Sequence, residues 1–185
     1  MSFELNEEQQ IAATHLEGPL LVLAGAGSGK TRIVTSRIVY LMQNGVAPSN
    51  ILALTFTNKA ATEMRERVAN LTRNHVSICT FHSLGVRILR QSIDNLGYGK
   101  DFIIYDEDDA NKLIRICMND LGIKDRDLRP KFFKSMISRA KNALQSASEI
   151  NTEEFFSEKE RYFPEIYRLY QEKLKSYQAV DFDDL

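Results

Sequence analysis

The sequence predicts an α/β fold with a parallel sheet in its first half and an all-helical portion in its second. Two observations carry this. Short apolar runs alternate with helical periodicity up to about Arg90, and beyond it the apolar positions recur almost only at helical spacing. The first run, Leu20-Leu21-Val22-Leu23, predicts a buried strand that enters the turn Ala24-Gly25-Ala26-Gly27-Ser28-Gly29. A helix is expected from Lys30 to Gln43, with Ile33, Val34, Ile38 and Leu41 on one face and Asn44-Gly45 as its stop. Ile51–Phe56 reads as a second buried strand, and Thr57 or Asn58 caps a helix reaching about Asn70. Val76–Thr80 is the third strand. Strand–helix–strand units of this length join parallel strands by right-handed crossovers.

In the second half, Asp106 or Asp108 can cap a helix whose stripe is Ala110, Leu113, Ile114, Cys117 and Leu121, ending at Gly122. Another follows Pro130 with Phe133, Ile137, Ala140 and Leu144 on one face. A third starts near Pro164 and buries Ile166, Tyr167, Tyr170 and Leu174. Little strand signal remains beyond Phe102–Tyr105. The helical portion is either appended to the α/β domain or inserted in it.

Composition narrows the class. The 185 residues are 43% hydrophobic and 26% charged, as in a globular protein with a real core. The longest apolar run is too short to span a bilayer, and from the polar N-terminus no signal peptide is expected. Cys79 and Cys117 lack metal or redox spacing and read as reduced core thiols, so a soluble cytoplasmic protein without membrane partners is expected. The net charge of −1 hides an asymmetry: residues 1–90 carry nine basic and six acidic side chains, the remainder fifteen and nineteen. Within that acidic half, Lys124–Lys141 holds seven basic residues against Asp125 and Asp127. That stretch is either a DNA-phosphate contact or a solvated helix face.

The chemistry is concentrated at Ala24–Thr31. Glycines let successive N–H groups converge on phosphate oxygens, and the following helix adds the positive end of its dipole. Lys30 would reach the β- and γ-phosphates of ATP, and the Thr31 hydroxyl would ligate Mg²⁺. Gln9 can pair with the adenine edge and select ATP over GTP. Thr55-Phe56-Thr57-Asn58 and Thr80-Phe81-His82-Ser83 close the second and third strands, at the sheet edge where α/β proteins bind ligands. They read as a base-stacking, phosphate-gripping surface, or alternatively as core aromatics and helix caps.

In order and separation, LNEEQ, AGAGSGKTR, TFTNKAATEMRERV and TFHSLGVRILR resemble the N-terminal portion of UvrD/Rep/PcrA-type superfamily-1 DNA helicases. The closing VDFDDL resembles the segment preceding their Walker B strand. The resemblance implies a RecA-like P-loop NTPase sheet with an inserted all-helical subdomain. Residues 1–90 would be the first part of the RecA-like domain, 91–178 the insertion, and 179–185 the return toward the sheet. It implies that Gln9 reads adenine, that Ala24 to Thr31 cradle the phosphates and that Arg32 lies beside the nucleotide. Thr55, Phe56, Thr57, Asn58, Thr80, Phe81 and His82 would contact single-stranded DNA, and partners would be single-stranded DNA, its junctions with duplex, the second RecA-like domain, and repair or replication proteins.

The family pattern also requires an Asp-Glu pair on a Walker B strand and arginines from the second domain, and neither occurs up to Leu185. Asp106–Asp109 follows no buried strand of that kind and reads as a helix start; Asp183 and Asp184 are not placed for Mg²⁺. The expectation is therefore a fragment of an ATP-dependent 3′-5′ DNA helicase, with weak ATP binding, negligible hydrolysis and no unwinding on its own. The motor portion of a RecB/AddA-like helicase–nuclease and a non-motor nucleotide-binding module stand as alternatives.

Overall fold

A computed structural model describes residues 5–123, 128–150 and 160–185. The chain divides into two compact units, residues 1–84 and 85–185. Each mixes helices with one small parallel sheet.

In the first unit, α1 (Glu7–Thr14) starts at a capping box. Asn6 Oδ1 accepts from the Gln9 amide at 2.8 Å while Gln9 Oε1 accepts from the Asn6 amide at 3.1 Å. It packs against α2 (Lys30–Gln43) through Ala12, Ala13 and Ile33, and Arg37 donates to the carbonyls of Ala12 and His15. β1 (Leu52–Thr55) and β2 (Ser77–Thr80) pair in parallel, with Thr55 opposite Thr80, and are joined by α3 (Asn58–Ala69). Their common core is Ile38, Ile51, Ala53, Ala61, Met64, Val68 and Ile78.

One expected element is missing. Leu20–Leu23 forms no strand: no described strand pairs with it, and Leu21 and Leu23 are 82% and 86% exposed. An apolar run marks a segment able to be an inner strand, but the hydrogen-bonding neighbours decide whether it is one.

α4 (Phe81–Ser92) begins in the first unit and ends in the second. The second unit pairs β3 (Ile103–Tyr105) in parallel with β4 (Ala179–Asp181). Three helices, α5 (Glu107–Asp120), α6 (Pro130–Asn142) and α7 (Phe163–Ser176), share a core built on Leu113, Ile114, Phe133, Ile137, Ile166, Tyr170 and Leu174. Asp106 caps α5, its Oδ1 accepting from the Asp109 amide at 2.9 Å. The Asp106–Asp109 run is thus a helix start. Leu144 departs from its expected place on the α6 face. It lies past the helix end at φ 55° and is exposed, because α6 stops at Asn142. Among the described residues no helix is long and apolar enough to cross a membrane.

Gly85 on α4 lies where a Cβ would come 2.2 Å from the Leu185 carbonyl oxygen. Only a residue without a side chain permits that approach. Gly85→Ala is expected to displace the Asp181–Leu185 turn and lower stability by about 1–3 kcal/mol, read as a fall in the thermal midpoint.

Candidate functional site

The glycine-rich loop lies in the first unit, at the start of α2. Gly27 and Gly29 have φ of 77° and 86°, left-handed values that fold the loop back on itself. Gly29 is also the N-cap of α2 and brings no side chain to cap it, so the helix start faces the cleft. Ser28 closes the turn, its hydroxyl donating to the Gly25 carbonyl at 2.7 Å. Lys30 Nζ donates to the carbonyls of Ala24 and Gly25 at 2.8 and 2.6 Å, which folds the ammonium over the loop.

A cleft of about 480 Å³ opens beside this loop, lined by Gln9, Gly27, Ser28, Gly29, Lys30, Thr31, Arg32 and Arg67. Three of these residues are cations and none is a carboxylate. A concave site of that sign at a helix N-terminus concentrates a polyanion. Gln9 faces it with both ends of its amide engaged: Nε2 donates to the Ser28 carbonyl at 2.9 Å, and Oε1 completes the α1 capping box. A Cβ on Gly29 would lie 2.9 Å from Gln9 Nε2 and at a φ that side chains rarely adopt. Gly29→Ala is expected to open the loop and lower stability by about 1–2 kcal/mol through backbone strain, read as a fall in the thermal midpoint.

Sequence reasoning gave Arg67 no role. Its one available signal was its place three residues after the core residue Met64 on α3, and only the tertiary packing brings that helix to the loop.

The strand ends lie in the same unit. Thr55 and Thr80 are buried and oppose each other in the register, so the residues that follow both strands emerge at one edge. Thr55 Oγ1 donates to the Thr57 carbonyl at 3.0 Å, and Thr57 Oγ1 caps α3 by accepting from the Ala60 amide at 3.1 Å. Asn58 and Lys59 form the exposed first turn of α3. Thr80 Oγ1 accepts from the Ser83 amide at 3.1 Å and shares a 2.8 Å hydrogen bond with its hydroxyl. Phe56 is 90% exposed and Phe81 52%, with ring centroids 5.6 Å apart. His82 is exposed beside them. The threonines are structural anchors, and the two phenylalanines are presented to solvent rather than buried.

In the second unit the basic stretch divides. Lys124 and Arg126 lie outside the described residues. Arg129, Lys131 and Arg139 are exposed, but Lys134 pairs with Asp183, and buried Lys141 lies 3.0 Å from Asp181 and 2.8 Å from Asp184. These two lysines face inward because the carboxylates of the β4 turn are there to neutralise them. Asp183 and Asp184 are correspondingly engaged by lysines, and no group of three or more His, Cys, Asp or Glu able to hold a metal occurs among the described residues.

The UvrD/REP helicase N-terminal domain description matches residues 5–185. The chain is 41% identical over 187 residues to the ATP-dependent DNA helicase PcrA of Staphylococcus aureus (strain Mu50), covering 98% of the chain and 25% of that relative. The PcrA of Staphylococcus epidermidis (strain RP62A) is 42% identical over the same shares. The chain therefore spans about a quarter of the length of the curated relatives it matches. By this match over residues 5–185 and this level of identity, the chain belongs to the UvrD/REP helicase N-terminal domain family.

Proposed function

We propose that the chain is the ATP-binding, single-stranded-DNA-binding front part of an ATP-dependent 3′-5′ DNA helicase. The observation that carries this is the carboxylate-free cleft of Lys30, Arg32 and Arg67 around the start of α2. The residues present fit a nucleoside triphosphate. The loop turns its glycine backbone and a helix start to one side, and the cations surround it. Lys30 would exchange its two carbonyl partners for β- and γ-phosphate oxygens, a stronger charge-assisted pairing. Arg32 and Arg67 would hold the remaining phosphate charge. Thr31 would offer its hydroxyl to Mg²⁺, since the Ser28 hydroxyl is engaged by the Gly25 carbonyl. When bound, the ion neutralises charge that develops between the β- and γ-phosphates.

Gln9 would release its hold on Ser28 to present its amide to adenine. Gln9→Ala is expected to weaken ATP by about tenfold and leave GTP nearly unchanged, since one hydrogen-bonded edge accounts for about 1–1.5 kcal/mol. Competition titrations with both nucleotides check this.

In this reading residues 1–90 begin a RecA-like domain, 91–178 are a helical insertion and 179–185 return toward the sheet. ATP would be closed upon by a second RecA-like domain, and alternating grip on single-stranded DNA would move the motor. Because the cleft described here has no carboxylate to position water, a polypeptide of these 185 residues should bind ATP and not turn it over. The test is an ATPase assay with and without single-stranded DNA. A steady DNA-stimulated rate from the pure 185-residue protein, abolished by Lys30→Ala, would contradict it.

A further inference from the structure

The second unit holds a set of buried and partly buried charges of its own. Asp181 is 1% exposed and fully partnered. It accepts from the Tyr170 hydroxyl at 2.7 Å, from Lys141 Nζ at 3.0 Å, and from the amides of Asp183 and Asp184 at 3.0 and 3.2 Å. Asp184 closes the turn on the other side, Oδ1 accepting from Lys141 at 2.8 Å and Oδ2 from the Asp181 amide at 2.9 Å. Asp183 is held by Lys134 and by the Ser138 hydroxyl at 2.8 Å. One ammonium on α6 thus joins two carboxylates that bracket a single short turn.

We propose that Lys141 is a positioning residue: its ammonium pins the Asp181–Leu185 turn against α6 and so sets the direction in which the chain leaves β4, while the helical core folds without it. The core of Phe133, Ile137, Ile166, Tyr170 and Leu174 is apolar and contiguous and needs no charge to form. The turn has one apolar anchor, Leu185, which packs against the cluster of Ile93, Phe102 and Val180, while Phe182 is half exposed. It instead brings three carboxylates within four residues, which repel one another unless cations intervene. Without Lys141, Asp181 would be a buried carboxylate short of its cation, and opening the turn to water is its cheapest relief.

The same neighbours set the direction of the carboxyl pKa shifts. Burial opposes charge on Asp181, but Lys141, the Tyr170 hydroxyl and Lys134 outweigh it and hold the carboxyl below the usual range. At Asp184 burial, offset in part by Lys141 and reinforced by Asp181, leaves the carboxyl above it. The groups facing the pair are Lys134 and Lys141 from α6, Tyr167 and Tyr170 from α7, Tyr98 ahead of β3, and Asp183 in the turn. Asp181 therefore contributes stability above the unfolded carboxylate value of about 3.9, lost as pH falls through its lower folded value. Asp184 has the opposite sign, with its contribution present below about 3.9 and lost as pH rises through its raised value.

The experiment is amide hydrogen exchange, as protection factors, on the 185-residue protein and its Lys141→Met variant, which keeps the stem and removes the charge. Protection at Asp183 and Asp184 is expected to fall about tenfold at neutral pH, with α5 and α7 amides unchanged within about twofold. Lowering the pH to about 5 should return part of the lost protection in the variant, because protonation relieves the carboxylate repulsion. Lost packing alone would not respond to acid. Unchanged protection in the turn, an equal loss throughout α5 and α7, or no recovery in acid would overturn the proposal. Should the single variant not fold, Lys141→Met/Asp181→Asn decides. A protected core with a turn less protected than in the parent upholds the proposal, and a turn as protected as in the parent, or no folded core, overturns it.

Discussion

Lys30→Ala is expected to abolish measurable ATP binding while leaving the thermal midpoint within about 1–2 °C of the parent. The ammonium is exposed and bonds only to the loop carbonyls of Ala24 and Gly25, so folding depends on it little. Its value lies in the bound state. A hydrogen bond to a charged partner is worth about 1.5–3 kcal/mol, and two phosphates lose one each, so a drop of about 100-fold or more follows. Removing the side chain also frees two loop carbonyls and loosens the cradle itself. Lys30→Arg should restore only part of the loss, since the planar fork cannot occupy the place of a compact ammonium. Equilibrium titration with a fluorescent ATP analogue and Mg²⁺ reads both variants.

Replacing the exposed pair Phe56 and Phe81 by alanine is expected to weaken single-stranded DNA binding by about 10- to 100-fold together. The rings stand at adjoining strand ends, 5.6 Å apart, where two bases can stack. Stacking on an aromatic ring is worth about 1–3 kcal/mol per base. No cation is removed, so the slope of affinity against salt should stay as in the parent. Lys59→Ala, at the first turn of α3, should do the reverse and flatten that slope with a smaller loss of affinity. Nucleotide binding should survive all three changes. Fluorescence anisotropy with an oligothymidine at several salt concentrations separates these outcomes. Affinity unchanged by the double substitution would assign the two rings to another surface.

Elements whose cause is local were legible in the sequence. α2 follows a glycine loop and ends at Asn44-Gly45, α3 begins at the Thr57 cap, and α5 begins at Asp106; each signal lies within a few residues of the structure it produces. The glycine-rich turn at Ala24–Lys30 belongs to the same group, because its glycines and Lys30 act within eight residues. Features that depend on distant partners were not legible. Leu20–Leu23 carries the composition of an inner strand and has no paired neighbour among the described residues. β4 is three residues long, too short to show a period, and exists because β3 pairs with it. Lys141 looks like one of several lysines on a basic helix face, and its burial is set by Asp181, forty residues away. Arg67 joins the cleft only through the packing of α3 on its own unit.

We propose that Ala24–Arg32, with Gln9 and Arg67, forms the nucleotide cradle. Amide hydrogen exchange of the 185-residue protein, with and without ATP and Mg²⁺, tests it most directly. New protection is expected, centred on the amides of Gly25–Arg32, extending to the start of α1, absent from the second unit and absent in Lys30→Ala. No nucleotide-dependent protection at Gly25–Arg32, or protection that persists in Lys30→Ala, would contradict it.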